Sequence, residues 1–232
     1  MLRPTLSALP TAQERSYVVC STPRAGSWLL CGLLASTGIA GRPHEWFYAD
    51  AEAANRRAWA VSSFADYVDR VREAGTTPNG VFGMKVMGGY RDGLLARLRE
   101  LGDAPTDLAL LERHFARPRF VWLRREDTAA QAASWSTAIQ TGRWHHWDRG
   151  DPAASPRHDR AQIDALTREL ADADAAWAAW FAANEVEPLV LRFEDLIADT
   201  IGRARDVLTF LGLPSEGVRI SELTLPSRDL GD

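Results

Sequence analysis

The stretch YVVCSTPRAGSWLLCGLL, from Tyr17 to Leu34, predicts a buried strand, a tight polar loop and an apolar helix, in that order. Residues 17–20 are apolar and largely β-branched or aromatic, which suits a short buried parallel strand. Residues 21–27 bring hydroxyl groups, an arginine and a glycine into one turn. Apolar residues then recur at helical spacing from Trp28 onward, so the loop opens onto a helix N-terminus.

This loop has the composition of an anion site. A helix N-terminus presents unpaired backbone N–H groups and the positive end of the helix dipole. Gly26 lets the backbone approach a ligand closely, Thr22 and Ser27 add hydroxyl groups, and Arg24 adds a fixed positive charge. The alternative is that Ser27 only caps the helix. With one glycine and no lysine, the loop does not fit the GxxxxGK[ST] pattern of ATP- and GTP-binding loops.

The composition is that of a globular protein: 232 residues, 25% charged and 46% hydrophobic. The length predicts a single domain over residues 16–232, preceded by an N-terminal tail over residues 1–15. No apolar stretch approaches the roughly 20 residues of a membrane span, and the first fifteen residues lack the apolar centre of a secretory signal. We therefore expect a cytoplasmic protein. A net charge of −4 argues against nucleic acid as the main partner.

A second buried strand is predicted at residues 81–87, VFGMKVM. It carries Lys85, the only lysine of the chain, near its carboxyl end. Ligands bind at the carboxyl ends of strands in open parallel sheets. We therefore expect Lys85 at the same sheet edge as the first loop.

Between these strands, Glu45 stands beside aromatic residues in the sequence HEWFY. Burial against rings raises the pKa of a carboxyl group and makes it a better proton acceptor near neutrality. Glu45 is therefore a candidate general base. The alternative is a partly exposed glutamate whose aromatic neighbours pack on the core.

A third strand, RFVWL at residues 119–123, leads into RRED and another helix. Gln131 and Ser134 fall on one face of that helix, near its N-terminus and close to Arg124 and Arg125. These residues predict a second anion site at the end of a strand. The alternative is that the two arginines form salt bridges at the surface.

A fourth strand, PLVLRF at residues 188–193, is followed by the acidic residues of EDL. Strands separated by helical segments predict an α/β fold, with a three-layer, P-loop-like parallel sheet flanked by helices. Two anion sites on one sheet edge suit a ligand with phosphates at both ends. That indicates a nucleotide with a 5′ and a second phosphate group.

The segment TGRWHHWDRGDPAAS, residues 141–155, is a long polar loop rich in tryptophan. Trp144 and Trp147 are candidates for a platform under a sugar or another ring. His145 and His146 have no nearby cysteine or second ligand pair, so we expect no metal site here. The loop lies where a partner subunit could complete the pocket, which makes a homodimer one candidate assembly.

Taken together, these segments resemble the sulfotransferases that use 3′-phosphoadenosine 5′-phosphosulfate (PAPS), most of all the bacterial trehalose 2-sulfotransferase (Stf-type) family. The resemblance covers roughly residues 17–228. STPRAGSWLL is similar to the 5′-phosphosulfate loop of that family, and GRPHEWF to its G-x-P-x-E-[FW]-F segment. VWLRREDTAAQAASW is similar to its 3′-phosphate strand and helix, and GMKVM and RFEDL occur in the expected order.

The resemblance implies the sulfotransferase fold and transfer of a sulfuryl group from PAPS to a hydroxyl group of a small acceptor. A carbohydrate is the acceptor that the family suggests, with a nucleoside or glycosylated metabolite as further candidates. The products are a sulfate ester and 3′,5′-ADP, and no metal is required. Residues implied to hold the 5′-phosphosulfate are Arg24, Ala25, Gly26, Ser27 and Trp28, with Thr22 adding a hydroxyl group.

The resemblance also assigns roles around the reacting group. Glu45 is implied to deprotonate the acceptor, and Arg24 and Lys85 to stabilise the departing phosphate. The side chains implied to bind the 3′ phosphate are Arg125 and Ser134, with Arg124 and Gln131 as further candidates because the arginine-to-serine spacing is longer here than in animal sulfotransferases. Candidate acceptor-binding residues are Trp46, Phe47, Trp144 and Trp147.

Two other functions remain open at this point. One is an atypical P-loop kinase, which needs Mg²⁺ and a phosphate-bridging lysine that the loop lacks. The other is a non-catalytic sensor that binds 3′,5′-ADP or a sulfated metabolite.

Overall fold

Four parallel strands form one sheet at the centre of the described chain. The computed structural model describes residues 15–144 and 155–221. Its strands are β1 (Arg15–Ser21), β2 (Val81–Met87), β3 (Pro118–Arg124) and β4 (Leu189–Arg192). Their order across the sheet is β2, β1, β3, β4, so β1 lies between two neighbours. The predicted parallel α/β sheet is confirmed.

Helices connect the strands and cover the sheet. Those of the described residues are α1 (Ser27–Ser36), α2 (Ala49–Trp59), α3 (Phe64–Gly75), α4 (Gly88–Leu101), α5 (Asp107–His114), α6 (Thr128–Thr141), α7 (Arg160–Ala183), α8 (Phe193–Ala198) and α9 (Thr200–Phe210).

Successive side chains of β1 alternate between two apolar layers, as the two-residue period of a strand requires. Val18 and Cys20 join the layer that contains residues of α3, α4, α5 and α7. Tyr17 and Val19 join the layer that contains residues of α1, α8 and α9. Each large apolar side chain buried here contributes about 1.5–3 kcal/mol relative to an exposed position. The sheet is therefore held from both faces.

The helix α2 was not predicted, because its alanine-rich sequence lacks an apolar stripe. Asp50 and Glu52 lie in its first turn and Arg56 in its last turn, which favours the helix dipole. Glu52 also pairs with Arg97 of α4 at 2.6 Å. This ion pair attaches α2 to the rest of the fold.

Some predicted features lie outside the described residues. They are the N-terminal tail, of which only Arg15 is described, and His145, His146 and Trp147 of the tryptophan-rich loop. Among the residues that are described, none of the helices has both the length and the apolar character to cross a bilayer.

Candidate active site

The loop between β1 and α1 turns through two left-handed residues. Arg24 has φ 64° and Gly26 has φ 83°. A left-handed arginine is uncommon, and such strain persists where the surroundings enforce it, often at functional sites. Gly26 is the residue that precedes α1, and no side chain caps the helix there. Ser27 is instead the first, buried residue of α1, so the alternative in which it acts only as a cap is wrong.

Gln131 of α6 holds the loop in place. Its amide nitrogen donates to the hydroxyl oxygen of Thr22 at 3.0 Å and to the carbonyl of Pro23 at 2.6 Å. Gln131 is 2% exposed and Thr22 is 1% exposed. Gln131 therefore fixes both Thr22 and the loop, and the contact of these two side chains with a ligand stays a prediction.

Arg24 connects the two predicted anion sites. Its Nε donates to the Ser134 hydroxyl oxygen at 3.1 Å, and its Nη1 donates to the carbonyl of Trp144. The Nη1 of Arg125 donates to the carbonyl of Arg24 at 3.4 Å. Arg24, Arg125 and Ser134 thus form one continuous polar surface where β1 and β3 end.

The adjacent arginines after β3 have different surroundings. Arg124 pairs with Asp174 of α7 at 3.2 Å, lies over the ring of Trp122, and has a side chain that is 45% exposed. Burial raises the pKa of Asp174 above its ordinary value, and Arg124 offsets part of that effect. The surface salt bridge that the alternative interpretation expected is therefore present for Arg124.

Arg125 has no carboxylate partner among the described residues. Its guanidinium lies 4.4 Å from the ring centroid of Phe193, and its Nε is buried without a hydrogen bond to any described residue. A guanidinium needs acceptors for its N–H groups when it leaves water. Of the two arginines, Arg125 is the one with unused donor capacity beside the loop.

Glu45 and Lys85 meet beside β2, the outermost strand of the sheet at that side. The backbone N–H of Lys85 donates to the carbonyl of His44 at 2.9 Å, and His44 forms a parallel bridge with Met84. This pairing puts the carboxylate of Glu45 2.7 Å from Nζ of Lys85. Lys85 is 1% exposed, and its ammonium makes this ion pair but no hydrogen bond of good geometry with a described residue.

Trp28 links this ion pair to the start of α1, next to the loop that follows β1. Nζ of Lys85 lies 4.3 Å from the centroid of the Trp28 ring, and Trp28 is the second residue of α1. A desolvated cation–π contact of this kind contributes about 2 kcal/mol. The surroundings predicted for Glu45 thus need correction, since a buried cation, and not rings alone, lies against its carboxylate.

Trp46 and Phe47 lie in the core and not in a binding surface. Trp46 is 1% exposed, and its ring nitrogen donates to the carbonyl of Gly83 at 3.2 Å. Phe47 packs edge-on against Tyr67 and Phe115. Both rings are used in core packing, so the prediction that they bind the acceptor gains no support here. Trp144 stays exposed, whereas Trp147 lies outside the described residues.

Two aromatic residues of the site were not singled out from the sequence. The ring nitrogen of Trp177 in α7 donates to the carbonyl of Ser21 at 3.2 Å, at the end of β1. The ring of Phe193 packs against Gly26 and lies under Arg125. Phe193 directly follows β4, so the rule that strand ends converge at one edge could have indicated it.

The fold is shared with solved sulfotransferases. A sulfotransferase from Alicyclobacillus acidocaldarius matches 96% of this chain and 88% of its own, with a TM-score of 0.53 and 13% identity. The sulfotransferase domain from the curacin biosynthetic pathway matches 94% of this chain and 82% of its own, with a TM-score of 0.55 and 13% identity. Similarity at this level of identity establishes the fold.

Sequence comparison assigns the family. Residues 16–226 match the model of the Stf0 sulphotransferases, and the chain belongs to that family. It is 30% identical to the trehalose 2-sulfotransferase of Mycobacterium tuberculosis (strain Erdman), over 85% of this chain and 84% of that protein. It is 28% identical to the trehalose 2-sulfotransferase of Mycolicibacterium smegmatis, over 88% of this chain and 86% of that protein. The resemblance inferred from the motifs is therefore confirmed.

Proposed function

We propose that this sulfotransferase moves the sulfuryl group of PAPS to a hydroxyl group of a small carbohydrate, with Glu45 as the general base. The observation that carries the proposal is the buried ammonium of Lys85, which lies 2.7 Å from Glu45 and contacts Trp28 of α1. This helix follows residues 22–26, which we call the phosphate loop because we propose that they bind the 5′-phosphosulfate. Burying a cation whose N–H donors are partly unused costs free energy, even beside a carboxylate, unless a ligand accepts hydrogen bonds from those donors.

The cations around the loop fit a bisphosphorylated donor. Arg24 and the N-terminus of α1 offer charge and N–H donors to the 5′-phosphosulfate. Arg125, with its buried and unpartnered Nε, offers donors to the 3′ phosphate, and Ser134 adds a hydroxyl group nearby. Arg24 contacts both Ser134 and Arg125, so the donors proposed for the two phosphates are adjacent, as binding of a single nucleotide requires.

Sulfuryl transfer forms a bond from the acceptor oxygen to sulfur and breaks the bond from sulfur to the 5′-phosphate oxygen. The hydroxyl proton must leave the acceptor, and negative charge must develop on the departing phosphate. Glu45 takes the proton, which is general base catalysis worth about 10²–10⁴ in rate. Lys85, Arg24 and the N–H groups of α1 stabilise the charge on 3′,5′-ADP, as cations do in phosphoryl transfer.

Lys85 has a second role in this scheme. Its ammonium fixes the position of the Glu45 carboxylate, and the Trp28 ring in turn fixes the ammonium. Base and phosphate loop therefore keep a constant separation. Proximity of this kind lowers the barrier by placing the reacting atoms before the reaction begins.

The proposal of a carbohydrate acceptor is supported by the relatives, both of which are named for trehalose. The side chain of Trp144 is exposed, and its backbone carbonyl accepts from Arg24, which supports Trp144 as the residue that stacks on the sugar. The buried Trp46 and Phe47 are no longer part of this proposal.

The test is transfer from ³⁵S-labelled PAPS to trehalose and to a panel of other sugars, nucleosides and phenols, with product identified by mass spectrometry. We expect a sulfated sugar and one equivalent of 3′,5′-ADP. Tight binding of 3′,5′-ADP without turnover on any acceptor would favour the sensor. Transfer that requires ATP and Mg²⁺ instead of PAPS would favour the kinase.

A further inference from the structure

The segment RFEDL, Arg192 to Leu196, contacts both Gly26 and Arg125, to which the proposed function assigns the two ends of the nucleotide. A Cβ atom added to Gly26 would lie 2.7 Å from Cδ2 of Phe193 and 3.6 Å from Cδ2 of Leu196. The ring of Phe193 therefore packs directly on the glycine of the phosphate loop. A glycine is needed there both for its left-handed backbone and for this close approach.

The same ring supports Arg125. The guanidinium carbon lies 4.4 Å from the ring centroid, within the range of a cation–π contact. The only hydrogen bond found for this guanidinium among the described residues is the 3.4 Å contact with the carbonyl of Arg24. Without the ring, a long side chain held by one long hydrogen bond would sample several rotamers.

A cation–π contact uses the charge of a guanidinium and not its N–H groups. The ring of Phe193 therefore leaves the N–H donors of Arg125 for hydrogen bonds to an anion. The backbone beside Arg125 is also held, because Glu194 accepts from the N–H groups of Glu126 at 3.2 Å and Asp127 at 3.4 Å. The segment after β4 thus positions Arg125 through both its side chain and its backbone.

We infer that Phe193 is a positioning residue that sets recognition of the 3′ phosphate by orienting Arg125 against the phosphate loop. The inference rests on the proposed function, since it assumes a ligand with a 3′ phosphate. Its consequence is selectivity: Phe193 raises the affinity for 3′,5′-ADP more than it raises the affinity for AMP, which lacks the 3′ phosphate.

The experiment compares Kd for 3′,5′-ADP and for AMP by titration calorimetry on the full chain. In Phe193→Leu we expect the preference for 3′,5′-ADP to fall by roughly tenfold, which corresponds to about 1.4 kcal/mol. Phe193→Tyr keeps the ring and should keep the preference. Phe210→Leu is the matched control, because it removes another ring that lies under an arginine, Arg119, at 5.6 Å.

A double-mutant cycle makes the test independent of general loss of structure. If Phe193 acts through Arg125, Phe193→Leu added to Arg125→Ala should change the preference no further. Should Phe193→Leu not fold, as judged by thermal unfolding, Phe193→Met replaces it in the same cycle.

The remaining outcomes separate the two proposals. An unchanged preference in Phe193→Leu, or an equal loss for both nucleotides, would overturn the positioning role and leave the proposed function intact. A wild-type protein that binds AMP as tightly as 3′,5′-ADP would overturn both.

Discussion

The carboxylate of Glu45 and the ammonium of Lys85 lie 2.7 Å apart, and the ammonium is almost fully buried. They are brought together by backbone pairing between the Glu45 segment and β2, through the Lys85 N–H and the carbonyl of His44. Because Trp28 at the start of α1 contacts the same ammonium, this pair connects the proposed base to the loop that we propose binds the 5′-phosphosulfate.

Replacing the base should slow the chemical step. We expect Glu45→Gln to lower kcat by about 10²–10⁴ while the Kd of 3′,5′-ADP stays close to that of the wild type. The measurement is steady-state transfer from PAPS, together with thermal unfolding, since the change leaves Lys85 without its partner. The control is Glu73→Gln, at an exposed ion pair with Arg70. Near-normal turnover in Glu45→Gln would assign the base to another residue.

Removing the buried ammonium should also reduce turnover. Lys85→Met keeps an unbranched chain against Trp28, and it removes the charge that we propose stabilises the departing phosphate. We expect kcat to fall by about 10²–10³ with a smaller change in nucleotide affinity, because the charge develops in the transition state. Arg70→Met, at an exposed cation, is the control. A loss confined to affinity would contradict the proposed role.

The adjacent arginines should differ in their effect on nucleotide binding. Arg125→Ala removes a guanidinium with unused donors, so we expect the Kd of 3′,5′-ADP to rise by roughly 10–100-fold, the value of one or two charge-assisted hydrogen bonds. Arg124 is already paired with Asp174, and Arg124→Ala should change that Kd much less. Calorimetry on both variants measures the difference. The reverse order would assign the 3′ phosphate to Arg124.

The ion pairs that attach α2 should make stability depend on pH. Burial raises the pKa of Glu52, but hydrogen bonds and charges from Arg97 and Arg56 outweigh it, so that pKa lies below its ordinary value. A lowered folded pKa gives stability that is present above the unfolded pKa, about 4.3, and is lost as the pH falls through the folded pKa.

Glu52→Gln should therefore lower the free energy of unfolding by about 1–2 kcal/mol at pH 7, and the difference from wild type should shrink as the pH approaches 3. Urea unfolding at several pH values measures this. Glu73→Gln, at the exposed pair with Arg70, should cost less than about 0.5 kcal/mol. A difference that stays constant with pH would show that Glu52 does not titrate with folding.

The sequence by itself determined the strands, their parallel α/β arrangement and the family. Strand and helix periods are local properties, so runs such as VFGMKVM indicated β2 over its whole length. Asp127 caps α6 by accepting from the N–H of Ala130, as an aspartate directly before a helix is expected to do. The loop before α1 was recognisable as a candidate anion site because a glycine, hydroxyl groups and an arginine in one turn can all favour binding of an anion.

Only the tertiary structure decided which polar groups face each other. Arg124 and Arg125 are neighbours in sequence, yet one pairs with α7 and the other lies on Phe193. Trp46 and Phe47 are in the core because the segment beside β2 turns them toward α3. Gln131 of α6 donates to Thr22 in the loop before α1. Such outcomes depend on how distant segments pack, which no local pattern records, and the same packing brings Lys85 to Glu45.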